Sequence, residues 1–232
     1  KISDLMHFRW IEQFDLFLLD FDGLLVDTER LHYAAYQTLC KNRGFALPWN
    51  FERYCGIAHH DGKIAPALYA ELPELYAKEP NWNVLYAEKK QAYMELLRAG
   101  KITLLPGVEE LLKALSIRKT KRCVVTNSWE EHVKLIRGAL PILNTIPVWI
   151  TREQYERSKP APDGYFKAIE LLADSSDRIV GFEDTLRGIQ ALKETRARPI
   201  LICSNEHPQL KESALSGISR FSSLVDIPAK LS

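Results

Sequence analysis

The sequence is short of several things that would place it at once. Its four cysteines, Cys40, Cys55, Cys123 and Cys203, lie far apart with no C-x-x-C pair, so zinc and redox centres have no ligand spacing to rest on. A chain of 232 residues buries a proper core without a disulfide scaffold, and free thiols buried in a reducing cytoplasm are the expectation. No stretch reaches the roughly 18 uninterrupted apolar residues of a membrane span; the most apolar one, Phe14 to Phe21, already contains acids. An excess of one charge is missing too, with 31 Lys and Arg against 30 Asp and Glu. No global field then draws in nucleic acid or an anionic membrane, and a charged ligand must be met locally. The opening KISDLMHFRW lacks the charged head, apolar middle and small-residue cleavage site of a secretory signal. It also lacks an initiator Met, which leaves room for residues ahead of Lys1. There is no internal repeat and no low-complexity segment.

What is present is rhythm. Short apolar runs flanked by polar or turn residues recur at Phe14 to Leu19, Arg122 to Thr126, Val148 to Thr151, Arg178 to Phe182 and Pro199 to Cys203, which predicts five strands. Segments with apolar residues at three- and four-residue spacing, Val108 to Leu115, Val133 to Leu140, Tyr165 to Leu172 and Leu186 to Leu192, predict helices between the later runs. That alternation predicts an α/β fold, a parallel sheet with helices on both faces. The first connection breaks the rhythm, because about a hundred residues separate the first two runs where a crossover needs about a dozen. Helical patterns fill that gap (Leu31, Ala34, Ala35, Thr38, Leu39; Val84, Leu85; Tyr93, Leu96, Leu97). Residues 28–101 are therefore expected to form a small helical cap inserted after the first strand, and residues 1–27 with 102–232 the core, which restarts at Pro106 and Gly107.

In an open parallel sheet, ligands bind beyond the carboxyl ends of the strands. The residues found there are informative: Asp20 and Asp22 after the first run, Thr126, Asn127 and Ser128 after the second, Glu183 and Asp184 after the fourth. Between the third and fourth, SKPAPD places Lys159 in a proline-stiffened loop. Four carboxylates converging at one edge repel one another unless a cation joins them, so a divalent metal is implied. All-oxygen ligands point to Mg²⁺ over zinc, with Asp20, Asp22, Glu183 and Asp184 as the candidate set. Lys159 and the Thr126 hydroxyl suit phosphoryl oxygens. Asp20 is placed to be a nucleophile that forms an aspartyl-phosphate, and Asp22 to supply and retrieve a proton, a role that asks for a pKa above about 3.9.

The four stretches DFDGLLVDTE, VVTNS, SKPAPD and GFEDT, in that order from Phe14 to about Ile202, resemble the motifs of the haloacid dehalogenase-like hydrolases. Within that superfamily the sequence is similar to the branch of β-phosphoglucomutases and sugar-phosphate phosphatases. The resemblance implies a Rossmann-like core with a helical cap, and a cytoplasmic Mg²⁺-dependent phosphatase of a small phosphorylated metabolite, monomeric or weakly dimeric. It matches Asp20 to the nucleophile, Asp22 to the acid/base, Thr126 to the phosphoryl-holding hydroxyl with Asn127 beside it, Lys159 to the paired cation, and Asp184 with Glu183 to the metal acids. Dehalogenases of the superfamily lack the second Asp of the first motif, so Asp22 argues for phosphate esters.

Two departures qualify the match. Where the mutases carry a cap-loop arginine that grips a distal phosphate, CGIAHHDG holds His59, while His32 and Lys89 fall near cap positions the mutases use. At the end of the last helix, ETRARP puts Arg196 where a glycine usually accepts a left-handed cap, so strain or a shifted helix end is expected.

Blander readings stand beside these. Asp-x-Asp-Gly alone is common turn chemistry, and a calcium loop is ruled out by Leu25 and Leu31 at the places where it needs Gly and Glu. Thr126 or Ser128, and Asp184 or Thr185, could cap the helices that follow. His59 and His60 read as exposed loop residues in preference to a metal pair. The basic run Arg118 to Arg122 precedes a strand and reads as a solvated junction at the opposite pole from the site. A phosphosugar isomerase of the β-phosphoglucomutase type and a non-catalytic phosphometabolite binder are the alternatives to a phosphatase.

Overall fold

A computed structural model of the chain describes residues 8–60, 63–100, 102–204 and 215–231, with His59 and His60 described by backbone alone. The chain divides into two compact units, residues 28–102 and residues 1–27 with 103–232.

The first of these is helical. Its described residues form α1 (Glu29–Asn42), α2 (Phe51–His60), α3 (Ile64–Glu71), α4 (Pro73–Lys78) and α5 (Trp82–Ala99). Local chemistry sets several ends: Pro73 opens α4, where its missing N–H is not needed, and the Asn81 side chain caps α5 by accepting from the Asn83 amide at 3.1 Å. Tyr36, Leu39, Trp49, Tyr54, Leu68, Leu75 and Leu85 close a core of their own. Trp49 is buried in it, and its indole donates to Glu71 at 3.0 Å, so it packs the unit. The segment CGIAHHDG, expected as a loop, is helical as far as His60. Tyr54 and Cys55 anchor that turn in the core, and the helix runs through Gly56.

The second unit carries a six-stranded sheet in which every neighbouring pair is parallel. Its strands are β1 (Leu16–Leu19), β2 (Lys121–Val125), β3 (Val148–Ile150), β4 (Ile179–Glu183), β5 (Arg198–Ile202) and β6 (Ser219–Phe221), and they run across the sheet in the order β3-β2-β1-β4-β5-β6. Every residue of β1 is fully buried, as only a strand covered on both faces tolerates. Leu16 and Leu18 pack with Tyr165, Ala168 and Leu192 on one face. Phe17, on the other, meets Trp10 and Phe182 with ring centroids 5.9 and 6.2 Å away. Five strands fall where the apolar runs predict them, within a residue or two. β6 was not expected: Ser219–Phe221 is a three-residue edge strand, only partly buried, without an apolar run to announce it.

The helices of this unit are α6 (Val108–Ile117), α7 (Glu130–Ala139), α8 (Asp163–Leu172) and α9 (Leu186–Lys193). Right-handed crossovers that run leftward from β1 and rightward toward β4 and β5 place α6 and α7 on one face, α8 and α9 on the other. The helix end near Arg196 is shifted and unstrained. α9 stops at Lys193, Arg196 is not in the left-handed region, and its guanidinium donates to the Asp174 and Asp177 carbonyls at 2.6 and 2.8 Å. The basic run Arg118 to Arg122 is engaged by its surroundings: Arg118 pairs with Glu12, Lys121 with Asp174 and Asp177, and Arg122 with backbone carbonyls.

Candidate active site

The strand order reverses at β1. Connections leave it toward β2 on one side, while β4 continues toward β5 on the other, so the switch point where such sheets bind ligands lies beyond the carboxyl ends of β1 and β4. Asp20 follows β1 directly, and its amide still donates to the Phe182 carbonyl at 3.0 Å as if the ladder continued. Glu183 is the last residue of β4 and Asp184 the next. The switch point therefore seats carboxylates from two adjacent strands side by side.

Lys159 reaches that point from the loop between β3 and α8. Its ammonium donates to Asp20 Oδ1 at 2.5 Å and to the Val125 carbonyl at 2.7 Å, and forms an ion pair with Glu183 Oε1 at 2.6 Å. The side chain is buried, so each contact is made in a medium that strengthens it. The loop is itself held, since the Asn127 side-chain oxygen accepts from the Lys159 amide at 3.1 Å and lies 2.8 Å from the Tyr155 hydroxyl. That hydroxyl also sits 2.7 Å from the Thr126 carbonyl.

Asp22 stands on the turn after β1. Gly23 adopts φ +81°, a left-handed conformation that glycine enters freely, and the turn closes through Gly23 N to Val26 O at 2.9 Å. One oxygen of Asp22 takes a 2.5 Å hydrogen bond from the Ser128 hydroxyl. Thr126 is buried one residue past β2, and its Oγ1 accepts from the Ser128 amide at 3.0 Å. Neither Thr126 nor Ser128 caps α7, whose N-cap is Trp129. Thr185 does cap α9, accepting from Gly188 N at 3.2 Å.

Three neighbours were not singled out in the sequence. Tyr155 braces the Asn127–Lys159 loop, and Tyr165, wholly buried on α8, donates its hydroxyl to Glu183 Oε1. Gly188 makes room, because a Cβ there would lie 1.9 Å from Glu183 Oε2. The only sequence signals were the placement of Tyr165 six residues after Lys159 and of Gly188 five after Glu183, and neither spacing names a partner.

The electrostatics are those of crowded buried acids. Burial pushes the carboxyl of Asp20 up, and the nearby Asp22 adds to this while Lys159 opposes it. Burial and then Asp20 push Glu183 up to about 7. Burial works against the charge of Lys159, yet Asp20 and Glu183 outweigh it and hold the ammonium above the usual lysine range. Asp20, Glu183 and Asp184 each offer an oxygen within 4.8 Å of the others, and Glu183 Oε2 is buried with no hydrogen-bond partner. Three buried acids crowd one ammonium, which makes ionising all of them costly until a cation joins them, and the ligand atoms are all oxygen. A hard divalent cation fits that donor set.

The remaining predicted residues lie in the helical unit. His32 and Lys89 meet there, with Lys89 Nζ 2.8 Å from His32 Nδ1 and about 5 Å from the ring centroids of Tyr36 and Tyr93. The side chain of His59 lies outside the described residues.

A parallel α/β sheet that gathers acids around one buried ammonium at its switch point defines an enzyme with a carboxylate-centred site. The chain belongs to the haloacid dehalogenase-like hydrolases, whose family model matches residues 17–202. Among curated proteins it is 27% identical over 177 residues to a phosphorylated carbohydrates phosphatase of Thermotoga maritima, covering 76% of this chain and 79% of that one. It is 22% identical over 177 residues to a β-phosphoglucomutase of Bacillus subtilis, covering 76% and 77%. Among solved structures, CbbY from Rhodobacter sphaeroides in complex with phosphate superposes with a TM-score of 0.69 at 22% identity, covering 89% of this chain and 92% of that one. The fold is shared with that structure, and the chain is an enzyme of the haloacid dehalogenase-like hydrolase family.

Proposed function

We propose that the chain is a Mg²⁺-dependent phosphatase of small phosphorylated carbohydrates that works through a phosphoryl group carried on Asp20. The observation that carries this reading is the three-way seating of Lys159, which ties Asp20 to Glu183 at the switch point. Asp20, Glu183 and Asp184, with Asp22, would hold the metal, and the bound ion supplies neutralisation of phosphoryl and carboxylate charge. Lys159 keeps Asp20 oriented toward the incoming phosphorus and faces the charge that develops there. An Asp20 oxygen bonds to phosphorus as the ester P–O bond breaks, and Asp22 gives its proton to the departing sugar oxygen. Asp22, now a carboxylate, takes a proton from a water whose oxygen bonds to phosphorus. The Asp20–phosphorus bond breaks, and inorganic phosphate leaves. Ser128, donating to Asp22, fixes its orientation for both transfers. In this reading residues 28–102 are the cap domain.

The test is hydrolysis of p-nitrophenyl phosphate and of a panel of sugar phosphates with Mg²⁺ and with chelator. Activity should require the ion, and Asp20→Asn should lower kcat by about a thousandfold or more. The peptide bearing Asp20 in acid-quenched wild type should carry one phosphoryl group. Full activity in Asp20→Asn would refute the mechanism. A mutase outcome is favoured by the His32–Lys89 pair in the helical unit. Incubation with β-glucose 1-phosphate separates the two, since glucose marks the phosphatase and glucose 6-phosphate the mutase.

A further inference from the structure

We propose that Tyr165 is a positioning residue of the metal centre: with Lys159 it pins one oxygen of Glu183, so that the other is presented to a divalent cation. The inference rests on the reading of this site as a metal-dependent phosphatase. Glu183 Oε1 accepts from the Tyr165 hydroxyl and is ion-paired with the Lys159 ammonium. A carboxylate so held cannot turn about its last bond without breaking both contacts. Its second oxygen, Oε2, is buried and accepts no hydrogen bond, although Glu183 is only 1% exposed. Leaving an anionic oxygen bare in such a place is costly, and native cores tolerate it where another charge arrives.

The space for Oε2 is built into the backbone. Gly188 lacks the Cβ that would stand 1.9 Å from it. Oxygens of Asp20 and Asp184 lie within 4.8 Å of an oxygen of Glu183, which gathers the three acids about one site, and in this assignment Oε2 is the oxygen that Glu183 gives to a cation there. Glu183 thus divides its labour, with one oxygen for the protein's own donors and one for the ion. Tyr165 also packs its ring among Leu16, Leu18 and Val125. Removing the hydroxyl alone separates its two roles.

Calorimetric titration of Mg²⁺ into substrate-free wild type and Tyr165→Phe tests the idea. The variant should bind the ion about tenfold more weakly, as loss of a partner that orients a metal ligand does. At saturating Mg²⁺ its kcat for p-nitrophenyl phosphate should be lower and its KM within about twofold of wild type. A variant that melts earlier but binds Mg²⁺ as wild type does would assign the hydroxyl to packing alone and overturn the proposal. If Tyr165→Phe does not fold, the same titration on Glu183→Gln decides. Its amide oxygen can keep the contacts with Tyr165 and Lys159 while its nitrogen stands in place of Oε2, so undiminished Mg²⁺ affinity there overturns the proposal too. A wild type that binds Mg²⁺ but hydrolyses no ester defeats the phosphatase reading and leaves this one standing. One that hydrolyses esters without binding the ion does the reverse.

Discussion

At Gly188 two tendencies pull in opposite directions. Within a helix, Ala in place of Gly is normally worth about 1 kcal/mol in stability. Here the added Cβ would lie 1.9 Å from a carboxylate oxygen whose partner oxygen is tied to Lys159 and Tyr165. A 1.9 Å approach falls in the upper part of the roughly 1–3 kcal/mol that overpacking costs, so the net loss is about 1–2 kcal/mol. Gly188→Ala is therefore expected to lower the melting temperature by about 2–8 °C for a chain of this length. Gly138→Ala on α7, where nothing lies within 4 Å of the new atom, should hold or raise it. Calorimetric scans of both variants beside wild type check this, and equal melting of Gly188→Ala and wild type would mean that Glu183 is not held as described. The same residue marks where sequence reading stops. Asp20, Glu183 and Asp184 are legible because each sits at or just past a strand end, where parallel sheets keep their ligands, and Lys159 because SKPAPD marks its loop. Tyr155, Tyr165 and Gly188 are not, because each acts on a residue from a different element and no spacing rule links them.

Among the elements, β1 and β4 form the pair that matters most, and their amino ends are tied together as firmly as their carboxyl ends. Asp15, just before β1, donates its amide to the Arg178 carbonyl at 2.8 Å and accepts from the Arg178 amide and guanidinium at 2.9 Å. The Arg178 hydrogen bonds, side chain first and backbone next, lower the Asp15 carboxyl from 3.8 to about 2. The folded protein then binds fewer protons than the unfolded one between those values. The stabilisation is present in full above pH 3.8 and is lost as pH falls through about 2. Both side chains are largely exposed, so solvent screening keeps the contribution of the pair small. Asp15→Asn should be less stable than wild type in urea at neutral pH, with the gap closing as pH falls from 3.8 toward 2. A gap of constant size over that range would show that the carboxylate charge contributes nothing. The element scale also explains what the sequence hid. β6 has too few residues for a period to emerge, and the end of α9 moved because Arg196 could use carbonyls of the loop before β4 where a glycine was expected.

Over the whole molecule, the insertion point is the feature most open to test. Val26 bridges to Leu104 in antiparallel fashion, Asp27 N donates to Thr103 O at 3.1 Å, and Leu105 N to Leu25 O at 3.1 Å. The chain thus leaves and re-enters the sheet unit through a paired neck, whose two sides stand about 5 Å apart. The helical cluster around Tyr36 and Leu68 and the sheet cluster around Leu18 and Tyr165 share no residue. Deleting residues 28–102 and joining Asp27 to Thr103 through a turn of about two to four residues, glycine included, should therefore leave the sheet and its core intact. The shortened protein is expected to unfold in one cooperative transition and to keep its near-ultraviolet circular dichroism. It should also hydrolyse p-nitrophenyl phosphate, because Asp20, Asp22, Thr126, Lys159, Glu183 and Asp184 all belong to the sheet unit. Retained secondary structure with lost aromatic dichroism and strong dye binding would be a molten state. That result would mean that the sheet needs the insert to fold, and that the boundary at the neck is a contour of the chain without being a boundary of stability.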